Sequence, residues 1–364
     1  MLINREFNAA AYPYTPPIKH LAQINSIPVE YRKIVLSAWQ IDGQSKSVNL
    51  DTAKWALGKT NVISLSRSHD ENKSWMRMLV NTAMGAKVNN SYPYQSSSIC
   101  TWGTEKKDGE NVKDLIDYIS AALEKVDNPK YPVVSVVSNF PYGEMTPQRA
   151  ANSIKRIGEW LKDYQGEKVV ETVANYQAWL DGDVEKVRET LKAERAAATE
   201  SGLKMKIVVT ASAHILAKDN FYKSLYDMTT LVLEEGADIV KTSTDKALKE
   251  PHNNTISQDT ATPETMLPVL AAVRDFNKKN KANRGIEISG GQNSIVDMAR
   301  VKFMVEKVAG AKMFSKVTIG GGYMLARNLM QYIAKNDPES GIKRDDFGPQ
   351  NRKADLPAGL KGLR

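Results

Sequence analysis

One segment of this chain has the makings of a covalent catalyst. Gly236-Ala237-Asp238-Ile239-Val240-Lys241-Thr242-Ser243-Thr244 sets a lysine at the end of an apolar run, before three small hydroxyl residues. Strand alternation puts Ile239, Lys241 and Ser243 on one face and Asp238 and Val240 on the other. Pointed into a protein interior, such a lysine is costly to keep charged, and burial or nearby cations lower its pKa. A neutral lysine attacks carbonyls and forms an imine. A lysine at a strand end that reaches to solvent fits the same residues, and the segment alone leaves both readings open. The other reactive side chains are scattered. His20, His69, His214 and His252 lack metal-ligand spacing. Cys100, the only cysteine, excludes an internal disulfide, fits a reducing compartment and reads as a core thiol. No P-loop or dinucleotide fingerprint is present, so the reading assigns no cofactor and no metal.

A positioned lysine needs a scaffold, and the chain offers a rhythm of short apolar runs from about Val62 onward. Eight read as strands: Val62–Leu65, Ser97–Thr101, Val133–Ser138, Val169–Ala174, Met205–Thr210, Ala237–Thr242, Gly285–Ser289 and Val317–Gly320. Amphipathic stretches lie between most of them. Thr146 to Tyr164 has an N-cap threonine, a proline at the first helical position and Ile154, Ile157, Trp160 and Leu161 on one face. Asp183–Ser201, Phe221–Glu235 and Thr262–Lys278 follow the same pattern. Alternating strands and helices imply βαβ units and a parallel sheet. Eight units over this length predict an α/β fold of the (β/α)₈ TIM-barrel type. The competing doubly wound sheet carries a Gly-rich turn after its first strand. Here that turn reads Ser64-Leu65-Ser66-Arg67-Ser68, without glycine.

Residues 1–58 read as an N-terminal accessory segment, 59–335 as the barrel and 336–364 as a polar C-terminal tail. Within the first, Val29–Trp39 has the spacing of a short helix. Lys246–Ala261 reads as a long polar loop on the barrel face where active sites form. The net charge of +8 is spread thinly, which favours a small anionic metabolite over nucleic acid. No stretch approaches a membrane span and the N-terminus does not read as a secretory signal. A cytoplasmic protein without membrane contact is expected, as a homodimer, since symmetric dimers are common.

The order of several short motifs resembles that of the deoxyribose-phosphate aldolase family. Lys241-Thr242-Ser243-Thr244 after Gly236-Ala237-Asp238 is similar to its Schiff-base signature. Val137-Ser138-Asn139-Phe140-Pro141-Tyr142-Gly143 resembles its third-strand motif, and Tyr176-Gln177-Ala178 the stretch after its fourth strand. Ser98-Ile99-Cys100, Ala261-Thr262-Pro263-Glu264 and Ser289-Gly290-Gly291 fall in the family's order as well, so the resemblance spans roughly residues 60–335. It implies a class I aldolase that cleaves or forms a carbon–carbon bond, as in 2-deoxyribose 5-phosphate, with acetaldehyde as donor. Lys241 would be the Schiff-base lysine, Glu171 would move protons, and Lys206 would depress the pKa of Lys241. Lys246, Ser289, Gly290, Gly291, Gly320 and Gly321 would hold the substrate and its phosphate.

The resemblance also breaks at definite places. Glu287 stands where the family has a second lysine, reversing the charge beside Lys241. It would raise the pKa of Lys241 and slow imine formation unless Lys206 compensates, or it would replace Glu171 as general base. Asp245 puts an anion where an anion would bind, while Gly322, Tyr323 and Asn293 replace serines and a basic residue. Two alternatives therefore stand beside the leading reading: an aldolase for another, unphosphorylated substrate, and a catalytically silent barrel with a binding role.

Overall fold

In the computed structural model, residues 25–63, 72–88, 90–252 and 256–343 are described. Eight parallel strands close into a barrel. They are β1 (Thr60–Ile63), β2 (Ser98–Trp102), β3 (Val133–Val137), β4 (Lys168–Val173), β5 (Lys204–Val208), β6 (Ile239–Lys241), β9 (Gly285–Ser289) and β10 (Val317–Gly322). Between β6 and β9 lies an antiparallel hairpin, β7 (Ala247–His252) and β8 (Ile256–Gln258). The (β/α)₈ expectation holds, with one correction: the stretch read as a polar loop after the sixth strand carries this hairpin.

The strands explain their own placement. Residues paired across a parallel sheet share a face, and successive residues alternate. Most outward positions are apolar, including Val62, Ile99, Val134, Val136, Val170, Ile207, Val240, Ile286 and Ile319, all fully buried. They lie under α3 (Asn72–Met84), α4 (Asp108–Leu123), α5 (Pro147–Leu161), α7 (Val184–Glu200), α8 (Phe221–Glu234), α9 (Pro263–Asn280), α10 (Ile295–Met304) and α11 (Tyr323–Asn336). The inward positions are polar to a degree unusual for a core: Asn61, Cys100, Ser135, Glu171, Lys206, Lys241, Glu287 and Thr318. A greasy outside and a polar lumen mean that the functional groups are held by the barrel wall itself.

Sequence signals for the helices hold closely. Asp183 caps α7 by accepting the Lys186 N–H at 3.2 Å, and Thr262 with Thr265 forms a capping box on α9. Helix α1 (Val29–Trp39) buries Val35, Leu36, Ala38 and Trp39. With α2 (Leu50–Leu57) it packs on the outer faces of α9, α10 and α11 and joins their apolar core. The Trp39 indole donates to buried Glu264 at 3.0 Å, and the Arg300 guanidinium lies 5.1 Å from the Trp39 ring. Among the described residues, no helix is long and apolar enough to cross a membrane.

A buried carboxylate on the outer wall carries a testable stability effect. Glu194 of α7 is fully buried and accepts hydrogen bonds from Thr172 of β4 at 2.7 Å and Asn139 at 2.8 Å. Burial pushes its pKa up to about 7, with those two bonds opposing. A folded pKa above the unfolded one gives stability that is present at acid pH and lost as pH rises through the folded value. Glu194→Gln is therefore expected to gain about 1–3 kcal/mol at about pH 8 and nothing near pH 5. Urea midpoints of both proteins at the two pH values check it. An equal effect at both would contradict it.

Candidate active site

Four strands aim four charges at one point inside the barrel. Register places Glu171 of β4 beside Lys206 of β5, and Lys241 of β6 beside Glu287 of β9. All four side chains are at most 3% exposed. Lys241 Nζ lies 2.7 Å from Glu171 Oε1 and 3.2 Å from Glu287 Oε1. Lys206 Nζ lies 2.9 Å from Glu171 Oε2 and 2.7 Å from Glu287 Oε2. Each lysine thus bridges both glutamates. The ring of alternating charge is neutral as a unit, which offsets the heavy cost of burying any one member.

The electrostatics reverse the simplest expectation for Lys241. Burial disfavours its ammonium form, but Glu171 and Glu287 outweigh burial and hold its pKa above the ordinary lysine value. Lys206 is raised in the same way, burial again opposing and the two carboxylates prevailing. Burial alone would raise Glu171; the ammonium groups of Lys206 and Lys241 prevail and hold it down at about 2. The expected depression of Lys241 by Lys206 is present, yet it is the smaller influence. Glu287, at 3.2 Å, contributes to the rise in the lysine's pKa expected of it.

The ring has neighbours that the sequence reading passed over. Asn61 of β1 donates to Glu287 Oε2 at 2.9 Å, and the Thr318 hydroxyl lies 3.5 Å from the same oxygen. The first strand begins at Thr60, two residues before the run at Val62, so Asn61 escaped notice although it adjoins that run. Cys100 Sγ lies 3.8 Å from Glu171 Oε2. Burial, with Glu171 next, pushes the thiol up to about 12, so it stays protonated and packs in the core. Gly320 is required by this crowding: a Cβ there would sit 2.4 Å from Ser289 Oγ and 2.7 Å from Glu287 Oε1.

The residues assigned to substrate and phosphate divide. Ser289 is buried at the end of β9, and its N–H donates to Thr242 Oγ1 at 3.0 Å. Gly290 and Gly291 form left-handed turns, with φ of 95° and 74°, in the loop above it. Gly320 faces the lumen, whereas a side chain at Gly321 would run into Leu325 of the outer helix α11. Lys246 Nζ lies 5.9 Å from the Trp102 ring centre at the barrel mouth. Asp245, at φ 60°, has its carboxylate near the Gly291 N–H.

Asp259, another residue not singled out from sequence, is fully buried and ties two loops together. It accepts the N–H groups of Thr244 at 2.7 Å and Ser212 at 3.1 Å. Burial moves its pKa up to about 6 against those bonds.

The remaining candidates are structural. His214 is buried between the Ser224 hydroxyl at 2.9 Å and the Val209 carbonyl at 3.2 Å, and burial holds its pKa at about 4. Asn175 caps α6 (Tyr176–Leu180) by accepting the Ala178 N–H at 3.0 Å. Tyr176 Oη accepts the Lys249 N–H at 3.0 Å. His20, His69 and the side chain of His252 lie outside the described residues.

The fold is similar to solved deoxyribose-phosphate aldolases. A structure from Toxoplasma gondii ME49 described as one gives a TM-score of 0.60 at 16% identity, covering 79% of this chain and 96% of that one. One so described from Coccidioides immitis gives 0.53 at 17% identity, with 85% and 99% covered. The tetrameric deoxyribose phosphate aldolase of Aeropyrum pernix gives 0.51 at 17% identity, with 83% and 97% covered. No protein-family model and no curated protein matches the chain. The resemblance seen in the motifs is thus shared by the fold, and at these identities the fold is what it establishes.

Proposed function

We propose that the chain is a class I aldolase that makes and breaks a carbon–carbon bond through an imine on Lys241. The observation that carries this reading is the neutral Lys–Glu ring buried at the centre of an aldolase-like barrel. The raised pKa of Lys241 does not stop the chemistry, because its proton has a receiver 2.7 Å away at Glu171 Oε1. Proton transfer inside the ring leaves its net charge at zero, so the dry site pays no penalty for a full unpaired charge.

The freed amine adds to the substrate aldehyde, and loss of water yields the iminium. The β-hydroxyl of the bound aldol gives its proton to a carboxylate. The bond between the α and β carbons then breaks, its electron pair moves to the iminium, and an aldehyde leaves. The remaining enamine takes a proton at its α carbon, and water hydrolyses the imine to acetaldehyde. Glu171 is the proposed proton carrier, because it touches the nucleophile more closely than Glu287 and has no asparagine holding it. Lys206 holds both carboxylates in place, 2.9 Å from Glu171 and 2.7 Å from Glu287.

The substrate on this reading is an aldol related to 2-deoxyribose 5-phosphate, in a cytoplasmic catabolic setting. The assembly belongs to the proposal too: a homodimer should show twice the chain mass by light scattering. Acetaldehyde release from a panel of aldols tests the activity. The wild type should release it from at least one, and Lys241→Ala should lose roughly 10⁴-fold or more, as expected when the covalent nucleophile is removed.

One observation favours a second reading. Two carboxylates that hold Lys241 charged would also suit a catalytically silent barrel with a binding role. That reading predicts no release from any member of the panel.

A further inference from the structure

The chemistry at Lys241 leaves open what the rest of the substrate carries, and the two sides of the barrel mouth differ sharply. On the side of β6 and β9, the loops carry left-handed turns at Asp245, Gly290 and Gly291. Such turns above barrel strands serve as anion sites in many proteins. Here the chain's own carboxylates stand beside the amides. The Asp245 carboxylate lies near the Gly291 N–H, and the Asp245 N–H donates to the Asp259 carbonyl at 2.9 Å. The Asp259 carboxylate takes the N–H groups of Thr244 and Ser212. The nearby cation, Lys246, is balanced by Asp245 beside it and rests against the Trp102 ring.

Beyond Lys246, at the ends of β2 and β3, the wall is apolar. Cys100, Trp102 and Val137 form a buried cluster with Ile63 and Phe140 packed on it. The Trp102 and Phe140 rings meet edge to face at 4.8 Å. A phosphate entering this mouth meets the Asp245 carboxylate beside the turn at Gly291, and like charges so placed disfavour binding. An alkyl or aryl group meets rings and aliphatic side chains instead.

We propose that the site takes uncharged aldols bearing an apolar or aromatic substituent, and that Asp245 turns phosphorylated ones away. The inference rests on the Lys241 imine for its chemistry, but its charge selectivity can be measured without that imine. In the first arm, borohydride traps phenylacetaldehyde and an aldehyde of similar length ending in a phosphate. The wild type should trap the phenyl compound about tenfold more. Asp245→Gly, which suits the left-handed backbone, and Asp245→Asn, which keeps the side-chain shape, should each shrink that ratio about tenfold. Equal or better trapping of the phosphorylated aldehyde by the wild type, or a ratio that neither variant moves, overturns the proposal.

The second arm is calorimetric titration with inorganic phosphate in the Lys241→Ala background, where no imine forms. Asp245→Gly should gain phosphate binding that its parent lacks. Binding to the parent, or none to the variant, overturns the proposal. A chain that traps no aldehyde but gains phosphate binding on Asp245→Gly loses the aldolase reading and keeps the charge selectivity.

Discussion

Glu171→Gln should lose roughly 10²–10⁴-fold in aldol cleavage, the usual contribution of a positioned proton carrier. The same variant should still form the imine. Removing one carboxylate leaves Lys241 facing only Glu287, at 3.2 Å, with Lys206 still nearby. The balance of influences then shifts toward the neutral amine. Borohydride adducts should therefore still form, now with the Lys241 proton passing to solvent and a rate that climbs with pH, while release of the product aldehyde collapses. Glu287→Gln should show a much smaller loss of cleavage. If Glu287→Gln suffers the larger loss, the proton carrier is Glu287 and Glu171 is the balancing charge. Measuring trapping and cleavage on each variant separates the two.

Lys206→Met should destabilise the protein by about 3–5 kcal/mol, the cost of leaving a buried charge uncompensated. Two carboxylates would then share the single ammonium of Lys241. Its pKa would rise further and imine formation would slow. Adding Glu287→Gln restores a neutral set of one lysine and one glutamate, so the double variant should recover most of the lost stability. Urea unfolding at about pH 7 of both single variants and the double gives the coupling. Losses that simply add would mean that the four groups do not act as one unit. The wild-type ring should persist over a wide pH range. Glu171, held at about 2, gives stability that is complete above its unfolded pKa and lost as pH falls below that toward about 2. Lys206 and Lys241, both raised, give stability that is complete below their unfolded pKa and lost only as pH climbs past it.

Much of the scaffold was legible because its signals are local. Proline and threonine at 146–147, the capping aspartate at 183 and the alternation of short apolar runs with amphipathic stretches fix where helices and strands begin. The period of two in β4 to β6 also places Glu171, Lys206 and Lys241 on inward faces. The hairpin of β7 and β8 was missed because its first strand mixes Lys249, Glu250 and Pro251 with few apolar residues, a pattern that reads as loop. Asn61 and Asp259 were missed for another reason. Each acts through a partner distant in sequence, Glu287 for Asn61 and Ser212 for Asp259, and nothing in the local pattern names those partners. The sign of the Lys241 shift is a balance of burial and the Lys206 charge against two carboxylates, which only their relative distances decide.

The ring makes one demand on Lys241 that an ordinary lysine would not meet. Conversion of its ammonium to an iminium exchanges no net proton with solvent, because Glu171 holds the proton in between. A free lysine gains neutral amine about tenfold per pH unit below its pKa. The most direct test is borohydride trapping with acetaldehyde at about pH 6 and pH 8, followed by peptide mapping, on wild type and Lys241→Ala. The account predicts an adduct on Lys241, absent from the variant, whose rate of formation changes little between the two pH values. No adduct at either pH would contradict the imine chemistry. A rate that climbs about a hundredfold between them would contradict proton transfer within the ring.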